Sequence, residues 1–375
     1  MSLTARQLNR ASLARQMLLR RERLSVLDAV RRLVALQAQE PASPYLALWN
    51  RLARFDPAEL DQAFADRTIV KASLIRLTLH AVQAEDYPPF YSAMLAALRD
   101  SRLTDGRFTK GGLTVPAVDA VVPDLLKFAA QPRSKGDIEA LLQAQVGAAK
   151  PAWFALKRYA PLHHAPTGGP WSFGAAPSYV AARPKPGRLS PDGAVQKLLL
   201  RYLAAFGPAS LQDFGQFTVL RRPVTVPAMR ALGNRVVEVE GPGGATLFDV
   251  AEGVLPAEDT PALPRLLPMW DSVLLAYADR GRVIPPDYRR LVIHQNGDVL
   301  PTLLVDGYVA GVWRLVEGGI EATAFHKLSG DAWEGLAAEA MALVTFLAGR
   351  DLTVYRRYNH WWATLPSAER RVLPG

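Results

Sequence analysis

The sequence predicts an α+β fold in which a unit of short helices closed by a β-hairpin recurs in tandem, followed by a β-rich C-terminal part. Three observations carry that expectation. Segments with apolar residues three and four apart, opened by Ser, Thr or Asp, read as helices. Between groups of them lie pairs of alternating segments around Gly- or Ser-containing turns, which read as hairpins. The pattern returns at a spacing of roughly 70 to 100 residues, although the units are not obviously alike in sequence. Helices followed by a hairpin wing make a winged-helix pattern.

In chain order, Thr4 opens a helix to about residue 19, and Arg20, Arg21 and Arg23 complement the dipole at its C-terminal end. Ser25 with Asp28 three positions on marks the next start, and Val26, Ala29, Val30, Leu33, Val34 and Leu36 keep a helical period. Pro41 and Pro44 stop it, so Gln37 and Gln39 are expected in the last turn or just past it. Residues 45–53 continue helically. Asp56-Pro57-Ala58-Glu59 combines an N-cap, a proline at N1 and an acidic N3, opening a helix that ends near Asp66. Residues 69–71 and 74–82 then read as two strands around Ala72-Ser73, closing a first unit over 1–110.

The second unit, 111–188, has helices at 118–130, 137–146 and 151–160. Its wing pairs 162–165 with 171–173 across Thr167-Gly168-Gly169-Pro170. The third, 189–262, has helices at 194–206, 211–220 and 227–232, broken first by Gly207-Pro208. Its strands at 236–240 and 246–250 flank Gly241-Pro242-Gly243-Gly244. Pro-rich stretches at 184–191 and 256–268 separate the units. The last part, 263–375, is different in kind: an antiparallel meander over 291–326 with turns at Asn296-Gly297, Asp306-Gly307 and Glu317-Gly318-Gly319. A helix capped by Asp331 with Glu334 runs to about Leu347, and a strand at 352–355 closes the unit.

Composition narrows the function. With 375 residues and 49% hydrophobic content the chain can bury a sizeable core. No apolar run approaches the roughly 20 residues of a membrane span, and the arginine-bearing N-terminus lacks a signal-peptide core, so no membrane partner and a cytoplasmic location are expected. The absence of cysteine excludes disulfides, thiolate catalysis and iron–sulfur clusters. The six histidines show no HExxH spacing, so neither metal nor cofactor is expected. A net charge of +9 and a pI of about 9.8 favour a polyanionic partner, nucleic acid above all, though a basic housekeeping protein has the same composition.

The segment LQAQEPASPYLALW at 36–49, with RLTLHAV at 76–82, YLAAFGPAS at 202–210, LLPMWDSVLLAYADRGR at 266–282 and LVDGYVAGVWRL at 304–315, resembles the AlkZ-type DNA glycosylases. The similarity runs through most of the chain in the same order. It implies tandem winged helices and a monofunctional, cofactor-free enzyme; a monomer associated with the nucleoid is the accompanying expectation. The implied substrate is double-stranded DNA carrying N7-alkylated purines, bulky adducts and interstrand crosslinks included. Some relatives protect producers of DNA-alkylating natural products, so self-resistance is implied as well. Its most specific element, glutamine, small or apolar residue, glutamine, matches Gln37, Ala38 and Gln39; a sister branch that includes YcaQ carries aspartate at the last position.

Read without the family, two glutamines at a helix end are as well explained as surface or capping residues. With it, they become the catalytic pair: amides that hold a water and contact the sugar while a cationic N7-alkylguanine departs. Glu40 reads as a base for that water or as a helix-end solvator, and Asp271 as an arginine partner before a catalyst. Lys71 and Lys197 raise a Schiff-base mechanism, but their flanks mark no desolvated nucleophile. For DNA, Lys71 and Arg76 in the first wing, Lys157 and Arg158, and Arg221 and Arg222 are candidate phosphate contacts, each also readable as a solvated pair. Leu303 and Leu304 form a candidate groove wedge or sheet core, and His294 is a further candidate contact. The rival class is a winged-helix transcription regulator or architectural binder without catalysis.

Overall fold

The caps set the first helices. Thr4 and Gln7 close a capping box on the helix Ala5–Arg15, and the Ser25 hydroxyl accepts from the Asp28 amide to open Val26–Arg32. Asp56 accepts from the Ala58 amide at the head of Pro57–Ala65, as its Pro-Ala-Glu context predicts. The computed structural model describes residues 2–185 and 189–374. The expected linker at 184–191, and with it the boundary between the second and third sequence units, falls partly on 186–188, outside the described residues. The fold mixes helix and strand, and the chain groups into two compact units. One comprises the residues up to Phe55, Tyr202–Asp213 and everything from Asn234; the other is Asp56–Arg201 with Phe214–Gly233.

In the first unit, five antiparallel strands form a sheet in the order Glu369–Pro374, Gly319–Ala324, Tyr308–Val316, Thr302–Val305, Arg265–Leu267. The predicted meander is its centre. Its tightest turn is Asp306-Gly307, where both residues have positive φ, 47° and 81°, the conformation a two-residue hairpin requires. Gly307 is also needed for space: a Cβ there would stand 2.5 Å from Asn9 Oδ1. The N-terminal helix is stapled to this unit by its arginines. Fully buried Arg10 pairs with Asp306, and Arg15 forks onto both oxygens of Asp249 at 2.6 and 2.7 Å.

Several expectations are corrected here. The first helix stops at Arg15 instead of about residue 19, and Arg21 leaves the dipole role to bind Glu339 at 2.6 Å and stack on Trp49. The helix Gly330–Ala348 is capped by the Ser329 hydroxyl instead of by Asp331. The closing strand is Glu369–Pro374, not 352–355; the latter leads into the 3-10 helix Arg356–Ala363.

The second unit is built on antiparallel strands in the order Leu79–Gln83, Ile69–Ser73, Leu162–Ala165, Ser178–Ala181, Arg133–Ser134. The first hairpin exists, but its connection is the turn Ile75–Leu77 and not Ala72-Ser73. The second wing re-pairs: Leu162–Ala165 joins Ser178–Ala181, leaving 171–173 outside the sheet. A 17-residue helix, Tyr87–Leu103, lies outside the predicted pattern altogether. The expected helix 118–130 is two, Val115–Ala120 and Val122–Phe128, and Arg222–Leu232 starts five residues before the predicted 227 with Pro227 inside it. The hairpin Val236–Glu240 with Thr246–Val250, which belongs to the first unit, is as read from the sequence.

Candidate active site

Gln37 and Gln39 are well past the helix end. The helix Val26–Arg32 closes at Leu33, and Val34 takes a left-handed φ of 68°, turning the chain into the short strand Leu36–Gln37. The apolar run 33–36 is buried because neighbouring elements cover it, not because it continues the helix. The two amides differ in environment: Gln37 is 5% exposed, whereas Gln39 is exposed. One amide of the pair is thus in the protein interior and the other at the surface.

Gln37 lines a small cavity of about 10 Å³ together with Gln16, Ser43, Arg51, Trp270 and Asp271, among others. The space suits about one water molecule with several polar partners. Its back wall is a buried ion pair: Arg51 reaches both oxygens of Asp271 at 2.8 Å, with the two side chains 1% and 0% exposed. Asp271 also caps the turn Ser272–Leu275 by accepting from the Val273 amide, so its carboxylate is fully engaged, as an arginine partner should be. Ser272 donates to Ala35 O at 3.1 Å, and Ser43 shares a 2.8 Å hydrogen bond with Tyr355 OH. These bonds fix the floor beneath the glutamine segment.

Its rim is made by the 3-10 helix Arg356–Ala363. Glu40 accepts hydrogen bonds from Arg357 and, at 2.9 Å, from Tyr358 OH, and the Tyr358 ring stands edge-on to Trp270 at 5.6 Å. Burial pushes the Tyr358 phenol up, so it stays protonated and donating. Trp270, held at φ 56°, donates from Nε1 to Gly297 O at 2.8 Å. Trp361 donates to Asp298 at 3.0 Å and stacks on His294 with centroids 3.8 Å apart. Sequence reading found Glu40, Asp271 and His294 but missed Arg51, Tyr358 and Trp361, whose partners lie more than two hundred residues away along the chain or, for Trp361, on a remote turn.

The other candidates separate cleanly. Lys71 is 4% exposed, with its ammonium 4.3 Å from the Phe173 ring, and burial pushes it down to about 8. It is thus a desolvated lysine, contrary to expectation, and too buried in this structure for a phosphate contact. Leu303 and Leu304, 0% and 1% exposed in the interior strand Thr302–Val305, are sheet core and no wedge. Arg76 is half-buried, its guanidinium over Phe217 and beside His80. Lys157 and Arg158 end the helix Ala149–Tyr159 near Arg102, and burial with Arg102 pushes Arg158 down to about 10. Arg221 and Arg222 are exposed at the start of Arg222–Leu232, and Lys197 is exposed on its helix.

The family described as DNA glycosylase AlkZ-like matches residues 30–346. The chain belongs to that family. It is 26% identical over 334 residues to the interstrand DNA cross-link repair glycosylase of Streptomyces sahachiroi, covering 83% of this chain and 88% of that protein. The solved structure of the Streptomyces sahachiroi DNA glycosylase AlkZ superposes with a TM-score of 0.81 at 24% identity, covering 94% of this chain and 98% of that one. Membership decides against a purely regulatory winged-helix protein: the chain is a DNA glycosylase.

For an AlkZ-like glycosylase the arrangement has a chemical meaning. Both carboxylates next to the glutamine segment, Glu40 and Asp271, are engaged by arginines. The amide of Gln37 is held beside a water-sized space, and an amide offers donors and an acceptor without charge. Such a site orients and polarises; it has little basicity of its own. Among the described residues no helix is long and apolar enough to cross a membrane.

Proposed function

We propose that the chain hydrolyses the N-glycosidic bond of N7-alkylated purines in double-stranded DNA, bulky adducts and interstrand crosslinks included, with Gln37 and Gln39 as the catalytic pair. The observation that carries this is the match of Gln37-Ala38-Gln39 to the family motif at a spot where one amide borders a water-sized cavity and the other is exposed. N7-alkylation makes the base cationic, so the C1′–N9 bond breaks with its electron pair passing to the base. Water then adds to the oxocarbenium-like sugar and releases its proton to solvent. Gln37 and Gln39 orient that water and set their carbonyl dipoles towards the developing positive charge. Little further assistance is needed with so good a leaving group, which is consistent with both nearby carboxylates being tied up.

The helix-and-hairpin units of 1–110, 111–188 and 189–262 are the winged helices of this reading, with 263–375 as the β-rich unit. The enzyme acts as a monomer on the nucleoid and needs no metal or cofactor. Protection of a producer from its own alkylating toxin follows if bulky adducts are the preferred lesions.

The test is excision from a duplex containing N7-methylguanine in the presence of EDTA, read as free base and alkali-labile abasic sites. Gln37→Ala and Gln39→Ala should each lower the single-turnover rate by roughly 10²-fold with DNA affinity unchanged. Wild-type rates in both variants would remove the pair from the mechanism. Borohydride should trap no enzyme–DNA adduct; a trap lost in Lys71→Met would transfer the chemistry to that desolvated lysine.

A further inference from the structure

Arg6, Arg10, Arg15, Arg21, Arg32 and Arg51 each pair with a carboxylate. Arg280, Arg289 and Arg290 have no such carboxylate pair among the described residues. Between the turn at 278–281 and the segment 286–295 lies an open cleft of about 700 Å³ lined by Arg280, Arg289, Arg290, His294, Asp279 and Asp287, among others. Arg289 and Arg290 begin the short helix Arg289–Val292 and are exposed. Arg280 is half-buried, and its Nε and Nη1 are sealed from solvent with no hydrogen-bond partner among the described residues. The nearest acidic residue in sequence, Asp279, is engaged in capping its own turn through the Gly281 amide at 2.8 Å.

Asp279 and Asp287 also line the cleft and Asp213 acts on Arg280, but burial of the guanidinium and repulsion from Arg289 outweigh them. The strain is visible in Arg280 itself: burial, and after it the charge of Arg289, push it down to about 10, still charged at neutral pH. An anion in the cleft relieves both effects. A short run of residues links the cleft to the glutamine site within the same unit. His294 lines the cleft, and three residues on, Gly297 accepts the Trp270 indole N–H at 2.8 Å, while Trp270 lines the cavity beside Gln37. His294 also stacks on Trp361, with centroids 3.8 Å apart.

We propose that this cleft binds the DNA backbone, with Arg280, Arg289 and Arg290 on phosphates of the strand that carries the damaged base. The assignment rests on the glycosylase reading for its ligand and adds to it the surface that positions the strand. Guanidinium groups suit the task because they chelate phosphate oxygens through two N–H groups at once. None of the three was singled out by sequence, since nothing local distinguishes an unpaired arginine from a paired one.

The experiment is binding of undamaged duplex by the full chain, measured by fluorescence polarisation at several salt concentrations. The comparison is between wild type, the double variant Arg289→Gln/Arg290→Gln, Arg280→Gln and Arg280→Lys. The slope of log affinity against log salt should fall by about 0.9 for each phosphate that the protein ceases to neutralise. The double variant should fall by close to two such steps and Arg280→Gln by one, while Arg280→Lys keeps most of the slope. Arg289 and Arg290 are exposed, so the double variant folds whatever becomes of Arg280→Gln. A wild-type slope in the double variant overturns the proposal. So does competition by millimolar inorganic phosphate that leaves the DNA slope of every variant unaltered, which would make the cleft a site for the free anion. Undamaged DNA keeps the two readings separate: a reduced slope with no excision by wild type refutes the glycosylase chemistry alone, and normal excision with an unchanged slope refutes the cleft alone.

Discussion

Arg51 in one unit and Lys71 in the other are both cations withdrawn from water, at 1% and 4% exposure, but their surroundings treat them in opposite ways. Arg51 meets both oxygens of Asp271 and, at 3.0 Å, the carbonyl of Ala47. Lys71 faces the ring of Phe173, and across the strand pairing its neighbour is His164, which burial and the lysine charge together push down to about 3. The first charge is neutralised where it stands and locks the wall behind Gln37. The second is left to the polarisability of a ring and carries a persistent desolvation cost. Burial alone therefore does not reveal what a charged residue is for; the presence or absence of an opposite charge does.

Three substitutions sharpen that contrast. Asp271→Ala strands a buried guanidinium and should cost roughly 3–5 kcal/mol of stability, read from denaturant unfolding; a loss below about 1 kcal/mol would mean that water already shares the pair. Lys71→Met should act in the other direction. The folded-state value of the amine, about 8, lies below its ordinary 10.5, so as pH falls the unfolded chain takes up the proton first. The native protein thus loses stability between about 10.5 and 8 and carries the full penalty below that window. Removing the amine should gain roughly 1–3 kcal/mol at pH 7 and almost nothing at pH 10.5; equal gains at both would show that packing, not charge, is responsible. Phe173→Leu should have the smallest effect, a loss of about 1 kcal/mol at pH 7 that shrinks once Lys71 is neutral.

What could be read from sequence was mostly local. The caps at Thr4, Ser25 and Asp56 depend on side chains reaching amides two or three residues away, and the Asp306-Gly307 hairpin depends on two backbone conformations. The family motif likewise placed Gln37 and Gln39 in one short segment. What failed depended on remote partners. Leu33, Val34 and Leu36 look like helix because tertiary burial imitates the helical period. The strand Leu162–Ala165 had two apolar-aromatic segments to choose from, and the more distant one, Ser178–Ala181, won. Leu303 and Leu304 are consecutive and both buried, the mark of an interior strand covered on both faces, which one dimension cannot distinguish from an exposed apolar tip.

The bonds that build the glutamine site have a consequence for the chain during its synthesis. Arg51 and Asp271 are 220 residues apart, and Glu40 and Tyr358 are 318. At roughly 5 to 20 residues per second, the ribosome needs on the order of 15 to 60 s after making Glu40 before Tyr358 exists. For the earlier part of that interval, until Asp271 is made, the future buried cation at Arg51 lacks its carboxylate, whereas the middle of the chain, from Asp56 to Arg201, already holds most of its own unit. The polypeptide must therefore carry its first 55 residues as an unsatisfied arm until the last third arrives, a high-contact-order closure that is slow and open to misassociation. A ribosome halted before residue 271 would display the motif segment with neither its floor nor its rim.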